Sequence, residues 1–384
     1  MRKICVAVHS RANYARIKSL LRAIQNHPQL QLQLVVGASA LLYRYGNVID
    51  IIKKDGFTPD VTCHMVLEGS TPASMAKSTG VGIIELSSAF ERLSPDVVVT
   101  VADRYETLSS AVAASYMNIP LAHTQGGEVT GSIDESVRHA ITKLAHIHFP
   151  ASELAAQNVI RLGENPEKVF FTGCPAMDLL DGLDLRLSAD FFERHGGVGH
   201  TIRSEKEYVV VLQHPVTTEY ETQEEQISET LSAVEALDMQ AVWLWPNVDA
   251  GTDGISKILR SYREKNPQSP IHFYKNFPPL DYAQLIYNSR CLVGNSSSAI
   301  REGSFLGVPA VNIGNRQKGR QCGDNVISVP PERSKILDAI NQQLAHGKYE
   351  PNPIYGNGNA GKRMADILAT VDLDINKTLF YKES

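Results

Sequence analysis

The stretch His123-Thr-Gln-Gly-Gly-Glu-Val-Thr-Gly-Ser-Ile-Asp-Glu-Ser-Val-Arg138 follows a short apolar run, residues 119–122, and leads into a helix-length run, residues 133–144. A strand followed by a helix is the repeating unit of parallel α/β sheets. The pair Gly126-Gly127 permits a tight turn in which the backbone can approach a ligand closely. Glu128 stands at that turn, where packing gives little reason for a carboxylate.

Two spacings at the end of this stretch predict how the helix begins. Ser132 and Glu135 are three residues apart and form a capping box, which predicts a helix from Ile133. Asp134 and Arg138 are four residues apart and therefore share one helix face. The segment offers carboxylates and a guanidinium around a glycine turn, although a capped helix with a surface ion pair has the same pattern.

The size and composition are those of a two-domain globular protein. A chain of 384 residues is too long for one ordinary core, and 43% hydrophobic with 21% charged residues is typical of globular proteins. The net charge of −5 argues against a nucleic-acid partner. Five scattered cysteines without a C-x-x-C pair predict reduced thiols in the cytoplasm and no structural zinc. Neither a signal peptide nor a membrane span is predicted.

Short β-branched runs alternate with helix-length amphipathic stretches, which predicts two doubly wound, Rossmann-like α/β domains. The pattern fades over residues 181–207, which predicts a linker with at most a short helix. The predicted strands are residues 4–8, 32–36, 96–101, 119–122, 147–149, 169–172, 208–212, 240–245, 271–274, 291–293 and 310–313. The other helices predicted in the first half are residues 14–26, 74–93, 106–117 and 153–162.

Polar and charged residues cluster directly after strands in both halves. Ligands of open parallel sheets bind beyond the carboxyl ends of the strands, so this placement predicts a ligand cleft between the two domains. The segments concerned are residues 9–11, 103–104, 123–128, 213–215, 246–249 and 294–298.

The segment Gly294-Asn-Ser-Ser-Ser-Ala-Ile-Arg-Glu302 is typical of a phosphate cradle. Glycine permits the turn, and Ser296 and Ser297 stand where a helix would begin, so hydroxyls, N–H groups and the helix dipole converge on an anion. A simple serine cap explains part of the same pattern. Glu302 lies about one helical turn further in and suits the hydroxyls of a ribose.

Arg11 and Arg316 supply cations suited to a diphosphate. The chain has no Walker motif, and its first strand does not lead into G-x-G-x-x-G, which argues against ATP-driven chemistry and a dinucleotide cofactor. No Cys/His spacing indicates a metal site. For His214, which follows a strand, a catalytic and a structural role are equally compatible with the sequence. The candidate acid–base residues of the first half are Asp103, Glu128 and Asp134, with Arg138 beside them.

From Arg11-Ala-Asn-Tyr14 to Ile354-Tyr-Gly-Asn-Gly-Asn359 the chain resembles the hydrolysing UDP-N-acetylglucosamine 2-epimerases of sialic-acid-type pathways. It also resembles the epimerase half of the bifunctional epimerase/N-acetylmannosamine kinase. The segments that carry the resemblance are residues 126–146, Gln213-His-Pro-Val-Thr-Thr218, Pro246-Asn-Val-Asp-Ala-Gly251, Gly294-Asn-Ser-Ser297 and Asn315-Arg-Gln-Lys-Gly-Arg320.

The resemblance implies a GT-B fold, in which two Rossmann-like domains face a cleft. Residues 1–180 would form the N-terminal domain with the acid–base residues, and residues 207–360 the domain that binds UDP. Residues 361–384 would form a C-terminal helix and tail that cross back to the first domain. The resemblance further implies a nucleotide-sugar substrate, no cofactor, and a homodimer or homotetramer.

The reaction of that family releases UDP from C1 of UDP-N-acetylglucosamine as the C2 proton is removed. Water then adds to the 2-acetamidoglucal and yields N-acetylmannosamine. This chemistry needs a base and stabilisation of the departing diphosphate. The resemblance implies Asp103, Glu128 and Asp134 as acid–base residues, Arg138 as a positioning group and His214 near the phosphate–sugar junction. It implies Arg11, Asn247, Ser296, Ser297, Glu302 and Arg316 as UDP-sugar ligands, with Glu302 on the ribose.

Three departures from the family pattern concern the sugar side of the site. Relatives often have His-Gly-Asp-Arg where this chain has Val101-Ala-Asp-Arg104. They have Ile-Glu-Gly-Gly-Glu where this chain has Thr124-Gln-Gly-Gly-Glu128. The third departure is Asn13, at a position where aspartate is common. Exchanging an acid for Gln125 removes a negative neighbour and favours ionised Glu128. An alternative substrate is therefore UDP-N,N′-diacetylbacillosamine, used toward legionaminic acid.

Three other functions stay open at this point. A GT-B glycosyltransferase would share the folds and the serine cradle, a non-hydrolysing epimerase would release the UDP-linked epimer, and a nucleotide-sugar sensor would show no turnover. Formation of free sugar without an acceptor distinguishes the hydrolysing epimerase from all three.

Overall fold

The computed structural model describes residues 1–43, 46–68, 71–130, 133–216, 222–245, 252–275 and 277–380. The chain divides into two compact units. The first comprises the described residues of Met1–Glu128, Ile133–Asp181 and Tyr355–Ser384, and the second those of Val129–Ser132 and Gly182–Ile354. Within the described residues, no helix combines the length and the apolar character needed to cross a membrane.

The sheet of the first unit has six parallel strands among the described residues. They are β1 (Arg2–Val8), β2 (Leu30–Gly37), β3 (Val61–Cys63), β4 (Val97–Val101), β5 (Leu121–Thr124) and β6 (Ile147–Phe149). Their order across the sheet is β3-β2-β1-β4-β5-β6, so the direction of winding reverses between β1 and β4. The carboxyl ends of β1 and β4 therefore form the switch point at which open α/β sheets bind ligands.

Helices follow the strands of this sheet, as a doubly wound fold requires. They are α1 (Arg11–Ala15), α2 (Lys18–Asn26), α3 (Val48–Lys54), α4 (Pro72–Leu93), α5 (Tyr105–Tyr116), α6 (Ile133–Leu144) and α7 (Glu153–Arg161). Alternate residues of β1 join different core clusters: Ile4 and Val6 pack in one and Cys5 in the other. Side chains on opposite faces of a strand enter opposite layers, so both faces of the sheet are buried.

The second unit repeats the same winding. Its strands are β7 (Val198–Gly199), β8 (Tyr208–Leu212), β9 (Gln240–Leu244), β10 (Ile271–Tyr274), β11 (Leu292–Gly294), β12 (Ala310–Ile313) and β13 (Val326–Val329). The order is β13-β12-β11-β8-β9-β10-β7, with β7 antiparallel at the edge. The switch point of this sheet lies between β8 and β11.

The helices of the second unit are α8 (Phe191–Arg194), α9 (Gln223–Glu235), α10 (Thr252–Lys265), α11 (Pro279–Asn288), α12 (Ser297–Ile300), α13 (Glu302–Phe305) and α14 (Arg333–His346). The predicted linker, residues 181–207, contains the short α8 and the edge strand β7. Phe191 stacks on Phe277 at 5.7 Å between ring centroids, which fixes this segment to the sheet domain of the second unit.

The last helix, α15 (Ala360–Thr370), belongs to the first unit. The backbone N–H groups of Ala360 and Gly361 donate to the carboxylate of Asp178 at 2.9 and 2.7 Å, and this carboxylate caps the helix. A β-carbon on Gly361 would lie 2.6 Å from the backbone of Ser19 in α2, so glycine permits close packing of the two helices.

The fold class predicted from the sequence is confirmed: the chain is α/β, with two doubly wound, mostly parallel sheets. Three details were wrong. Residues 169–172 form no strand, since Val169 makes only an isolated bridge with His148. The predicted helix 14–26 is broken between Ala15 and Lys18 into two helices. The short strands β3, β7 and β13 were not predicted, because two to four residues carry too little periodicity.

Candidate active site

Asn13 joins the two strand ends at the switch point of the first unit. Its side-chain oxygen accepts a hydrogen bond from the backbone N–H of His9 at 3.2 Å. Its side-chain nitrogen donates to the carbonyl oxygen of Val101, also at 3.2 Å. One buried amide thus connects the residue after β1 with the end of β4. An amide supplies both an acceptor and a donor here, whereas a carboxylate would supply only acceptors.

Arg138 holds the two loops of this unit that carry predicted catalytic carboxylates. Its side chain is 1% exposed. The Nη1 group donates to the backbone carbonyl of Glu128 at 2.6 Å, and Nη2 donates to the carboxylate of Asp103. Charge-assisted hydrogen bonds of this kind fix the orientation of a carboxylate as well as stabilise it. The structure therefore brings Asp103, Glu128 and Arg138 together.

The helix that carries Arg138 begins where the sequence predicts. Helix α6 starts at Ile133, while the predicted cap, Ser132, lies outside the described residues. Asp134 lies in the first turn of α6 and is half-buried. The sequence placed Asp134 and Arg138 on one helix face, and the structure adds that Arg138 reaches across to Asp103, 35 residues earlier in the chain.

The glycine turn has a left-handed backbone at Gln125, with φ +63°, and at Gly127, with φ +79°. A β-carbon on Gly127 would overlap the carbonyl oxygen of Ala155 in α7. The carbonyl of Gly127 also accepts a hydrogen bond from Asn158 Nδ2 at 2.9 Å. Only glycine combines this backbone conformation with so close an approach. Glu128, 5% exposed, follows the turn directly.

The side chain of Gln125, one of the departures from the family pattern, is part of the packed interior and 1% exposed. Arg16 Nη1 donates to its side-chain oxygen at 3.3 Å. Its side-chain nitrogen lies 3.7 Å from Sγ of Cys174. Compared with the acid of the family pattern, Gln125 therefore removes one negative charge from the residue that directly precedes the Gly126-Gly127 pair.

Two buried histidines lie beside the same switch point. Burial lowers the pKa of His123 to about 3, although the hydrogen bond with the Ala102 carbonyl opposes this shift. Burial lowers the pKa of His9 to about 4, and His9 Nε2 lies 2.6 Å from the Ser110 hydroxyl. Both imidazoles are therefore uncharged at neutral pH and serve as hydrogen-bonding groups.

Asn295 has the corresponding position in the second unit. Its side-chain oxygen accepts from the backbone N–H of His214 at 2.7 Å, and its side-chain nitrogen donates to the carbonyl of His214 at 2.8 Å. His214 is 5% exposed and lies just after β8, while Asn295 follows β11. Before it, Gly294 has φ +131°, and a β-carbon there would overlap the carbonyl of Leu212. The glycine in the predicted cradle is thus required by the backbone.

The serines after Asn295 form a hydrogen-bonded group. Ser296 caps α12 by accepting from the Ser298 N–H at 3.3 Å, and the two hydroxyls lie 3.1 Å apart. Tyr282 OH lies 2.6 Å from the Ser298 hydroxyl. Ser297 is the first residue of α12, which is a single turn. Glu302, which the sequence places about one helical turn further in, lies after Arg301 and begins a separate short helix, α13.

Arg316 also contacts the loop of Asn295. Its Nη1 donates to the Asn295 carbonyl at 3.2 Å, and Gln317 Nε2 donates to the same oxygen at 2.9 Å. The predicted ligands His214, Ser296 and Arg316 therefore gather around Asn295. Arg11 begins α1 in the first unit, directly after the cap Ser10. Asn247 lies outside the described residues.

Sequence reasoning missed the groups that hold the candidate residues in place. From the sequence, Asn295 has no predicted role of its own, and Asn13 is only a departure from the family pattern. His123, Thr142 and Gln317 likewise have no predicted role. The available signal was a short amide near a strand end in each half: Asn295 directly follows β11, and Asn13 lies in α1, five residues after β1.

Comparison with known proteins gives the family to which this fold and these residues belong. A family model described as UDP-N-acetylglucosamine 2-epimerase matches residues 22–369. The chain belongs to this family and is an enzyme of the UDP-N-acetylglucosamine 2-epimerase type.

Individual relatives cover nearly the whole chain. A UDP-N,N′-diacetylbacillosamine 2-epimerase (hydrolyzing) of Legionella pneumophila is 32% identical over 373 residues, 97% of each chain. A UDP-N-acetylglucosamine 2-epimerase of Neisseria meningitidis is 28% identical over 374 residues, 96% of this chain and 95% of the relative.

A solved structure supports the fold assignment. The crystal structure of UDP-GlcNAc 2-epimerase from Neisseria meningitidis bound to UDP-GlcNAc superimposes with a TM-score of 0.79, covering 95% of this chain and 99% of that one. Sequence identity in this superposition is 18%, so the likeness concerns the fold.

Proposed function

We propose that this protein is a hydrolysing 2-epimerase that converts UDP-N-acetylglucosamine to N-acetylmannosamine and UDP. In the first step a base takes the C2 proton, the C1–O bond breaks, and its electron pair leaves with UDP, giving a 2-acetamidoglucal. In the second step water supplies the hydroxyl at C1, and a proton adds to C2 on the opposite face. The products therefore contain the atoms of substrate plus one water.

The observation that carries this proposal is the link from Arg138 to both carboxylate-bearing loops, through the Asp103 carboxylate and the Glu128 carbonyl. An elimination and rehydration at adjacent carbons needs acid–base groups held in fixed geometry. Asp103, Glu128 and Asp134 are the proposed acid–base residues, and Arg138 keeps the first two in place.

UDP recognition is assigned to the loops gathered at the switch point of the second unit. Ser296 and Ser297 offer hydroxyls at the end of β11, and Arg316 offers a guanidinium beside the same loop. Developing negative charge on a departing diphosphate is stabilised by such donors. His214 is proposed for the phosphate–sugar junction and Glu302 for the ribose. Arg11 and Asn247 complete the proposed set of ligands.

A second candidate is the same reaction on UDP-N,N′-diacetylbacillosamine. The observation in its favour is that two departures from the family pattern touch each other, since the Asn13 side chain donates to the carbonyl of Val101. The Legionella relative that carries the name of this substrate adds support.

The test is NMR of purified protein with UDP-N-acetylglucosamine in D2O, without metal or acceptor. We expect UDP and free N-acetylmannosamine that carries deuterium at C2. The Asp103→Asn variant should lose this activity. Asp184→Asn, which alters an exposed ion pair with Arg186, is the matched control and should keep it.

The outcomes separate the candidates. Turnover only of UDP-N,N′-diacetylbacillosamine in the same assay would assign the second substrate. A UDP-linked epimer as the product would identify a non-hydrolysing enzyme. Product formation only after a sugar acceptor is added would identify a glycosyltransferase, and absence of turnover in all assays would contradict the proposal.

A further inference from the structure

We propose that His123 and Thr142 are positioning residues for the catalytic loops, and that the Thr142 hydroxyl, acting through the imidazole of His123, sets the turnover number of the enzyme. This inference rests on the proposed function, in which Asp103 and Glu128 carry the proton transfers. Neither His123 nor Thr142 belongs to the proposed acid–base or UDP-binding residues.

The imidazole of His123 links β5 to the loop of Asp103. His123 lies in β5 and is fully buried. Its Nε2 lies 2.8 Å from the carbonyl oxygen of Ala102, the residue before Asp103. A carbonyl oxygen only accepts hydrogen bonds, so Nε2 carries the proton and donates it. Ala102 itself has φ +66°, a conformation that non-glycine residues rarely adopt, so the loop needs such support.

The other imidazole nitrogen of His123, Nδ1, is hydrogen-bonded to the hydroxyl of Thr142. Burial keeps His123 uncharged, with the pKa at about 3, so Nδ1 carries no proton when Nε2 does. The hydroxyl of Thr142 lies 3.2 Å from Nδ1 and must donate to it. The hydrogen bonds therefore run in one direction, from Thr142 to His123 and from His123 to the Ala102 carbonyl.

The same pair supports the glycine turn that precedes Glu128. A β-carbon on Gly126 would lie 2.9 Å from the Thr142 hydroxyl and 3.0 Å from His123 Nδ1. The backbone of the turn therefore rests directly on the two hydrogen-bonded side chains. Loss of their hydrogen bond frees both the loop of Asp103 and the turn of Glu128.

One face of α6 thus makes two separate links to these loops. Arg138 and Thr142 are four residues apart in α6 and lie on the same face, both buried. Arg138 binds the Asp103 carboxylate and the Glu128 carbonyl. Thr142 reaches the Ala102 carbonyl through His123. Two links resist a rotation of the loops that one link alone would permit.

The experiment compares Thr142→Val, which keeps the shape but removes the hydroxyl, with Thr142→Ser, which keeps the hydroxyl. We expect kcat of Thr142→Val to fall about 10- to 100-fold, since small displacements of reacting groups cost rate of this order. KM and the calorimetric affinity of Thr142→Val for UDP should stay within about threefold of wild type, because the UDP ligands lie elsewhere in the chain. Thr142→Ser keeps the hydroxyl and should retain kcat within about threefold of wild type.

The matched control is Thr230→Val. Thr230 is fully buried like Thr142, but its hydroxyl only donates to the Gln226 carbonyl one turn earlier in α9. This variant should keep wild-type kcat. If Thr142→Val fails to fold, His123→Gln serves as the second variant. The glutamine amide can still donate to the Ala102 carbonyl, but it lacks the imidazole nitrogen that accepts from Thr142. The same fall in kcat is expected.

Wild-type kcat in Thr142→Val, or an equal fall in Thr142→Val and Thr142→Ser, would overturn the inference. A wild-type protein that turns over neither UDP sugar would instead contradict the proposed function. In that case amide hydrogen exchange still tests the positioning role: residues 102–104 and 125–128 should exchange faster in Thr142→Val than in wild type, and unchanged exchange would refute it.

Discussion

The guanidinium of Arg138 donates to the carboxylate of Asp103, and these two residues are 35 positions apart in the chain. The same guanidinium donates to the backbone carbonyl of Glu128, ten positions before it. A single buried cation thus connects a loop after β4, a turn after β5 and the helix that follows. This contact joins three segments of the fold and also holds the proposed catalytic carboxylates, so a mutation of Arg138 tests both stability and the proposed activity.

Arg138→Lys should lower both stability and activity. Lysine keeps the charge but cannot donate from a rigid fork to two oxygens, so one of the two partners is left unsatisfied. We expect a loss of about 1–3 kcal/mol in the free energy of unfolding and a fall of at least about 10-fold in kcat. Urea unfolding and the NMR assay measure the two effects. Arg186→Lys, in an exposed ion pair, is the control and should change neither.

Asn13→Asp should destabilise the first unit even though aspartate is common at this position in relatives. The Asn13 amide donates to the Val101 carbonyl, whereas an ionised carboxylate would place a negative oxygen against that carbonyl. The expected loss is about 1–3 kcal/mol at pH 7, measured by urea unfolding. Asn118→Asp is the matched control: Asn118 is exposed with φ +56°, which aspartate tolerates. Equal stabilities of Asn13→Asp and wild type would contradict the assigned hydrogen bond.

Glu164 should make stability depend on acid pH. Burial alone would raise the pKa of this carboxyl, but hydrogen bonds from His148, Lys143 and Lys377 outweigh burial and lower the pKa from 4.5 to about 2. The folded state binds the proton more weakly than the unfolded state. The stabilisation is therefore complete above pH 4.5 and is lost as the pH falls toward 2.

The test is to compare wild type with Glu164→Gln in urea at several pH values. At pH 7 the variant should be less stable by about 3 kcal/mol, because the three cationic or hydrogen-bonding partners lose their carboxylate. This difference should shrink as the pH falls from about 4.5 toward 2. Glu207→Gln, whose carboxylate pairs with Arg290 but is 60% exposed, should show a small difference at every pH. A constant difference for Glu164→Gln would refute the prediction.

Gly294→Ala should weaken UDP binding as well as folding. Gly294 has φ +131°, and a β-carbon there would overlap the Leu212 carbonyl, so the loop of Asn295 must shift. We expect at least about a 10-fold loss of UDP affinity by calorimetry, because the proposed ligands Ser296 and Arg316 are held by that loop. Gly80→Ala in α4 is the control: outside the adjoining part of its own helix, no atom of the described residues lies within 4 Å of the added β-carbon, and the change should stabilise the helix by about 0.5–1 kcal/mol. Unchanged UDP affinity in Gly294→Ala would show that the loop of Asn295 does not take part in UDP binding.

Much of the architecture was predictable from the sequence. Residues 4–8, 96–101 and 208–212 carry runs of buried β-branched side chains, which only the central strands of parallel sheets explain. Helix α4 runs from Pro72 to Leu93, and the helix predicted from the sequence, residues 74–93, begins two residues later and ends at the same residue. Such features depend on neighbours in the chain, and local preference is sufficient to indicate them.

The sequence by itself determined which residue types are proposed for the chemistry: a carboxylate beside a glycine turn, an arginine on the following helix and serines after a strand. Only the tertiary structure decided the pairings. The spacing within α6 relates Arg138 to Asp134, but nothing in the local sequence indicates its bond with Asp103. Asn13, Asn295 and His123 bond to backbone carbonyls at or just after the ends of other strands. The reason is physical: hydrogen-bond partners far apart in the chain are chosen by sheet order and loop conformation, and no local pattern records that choice.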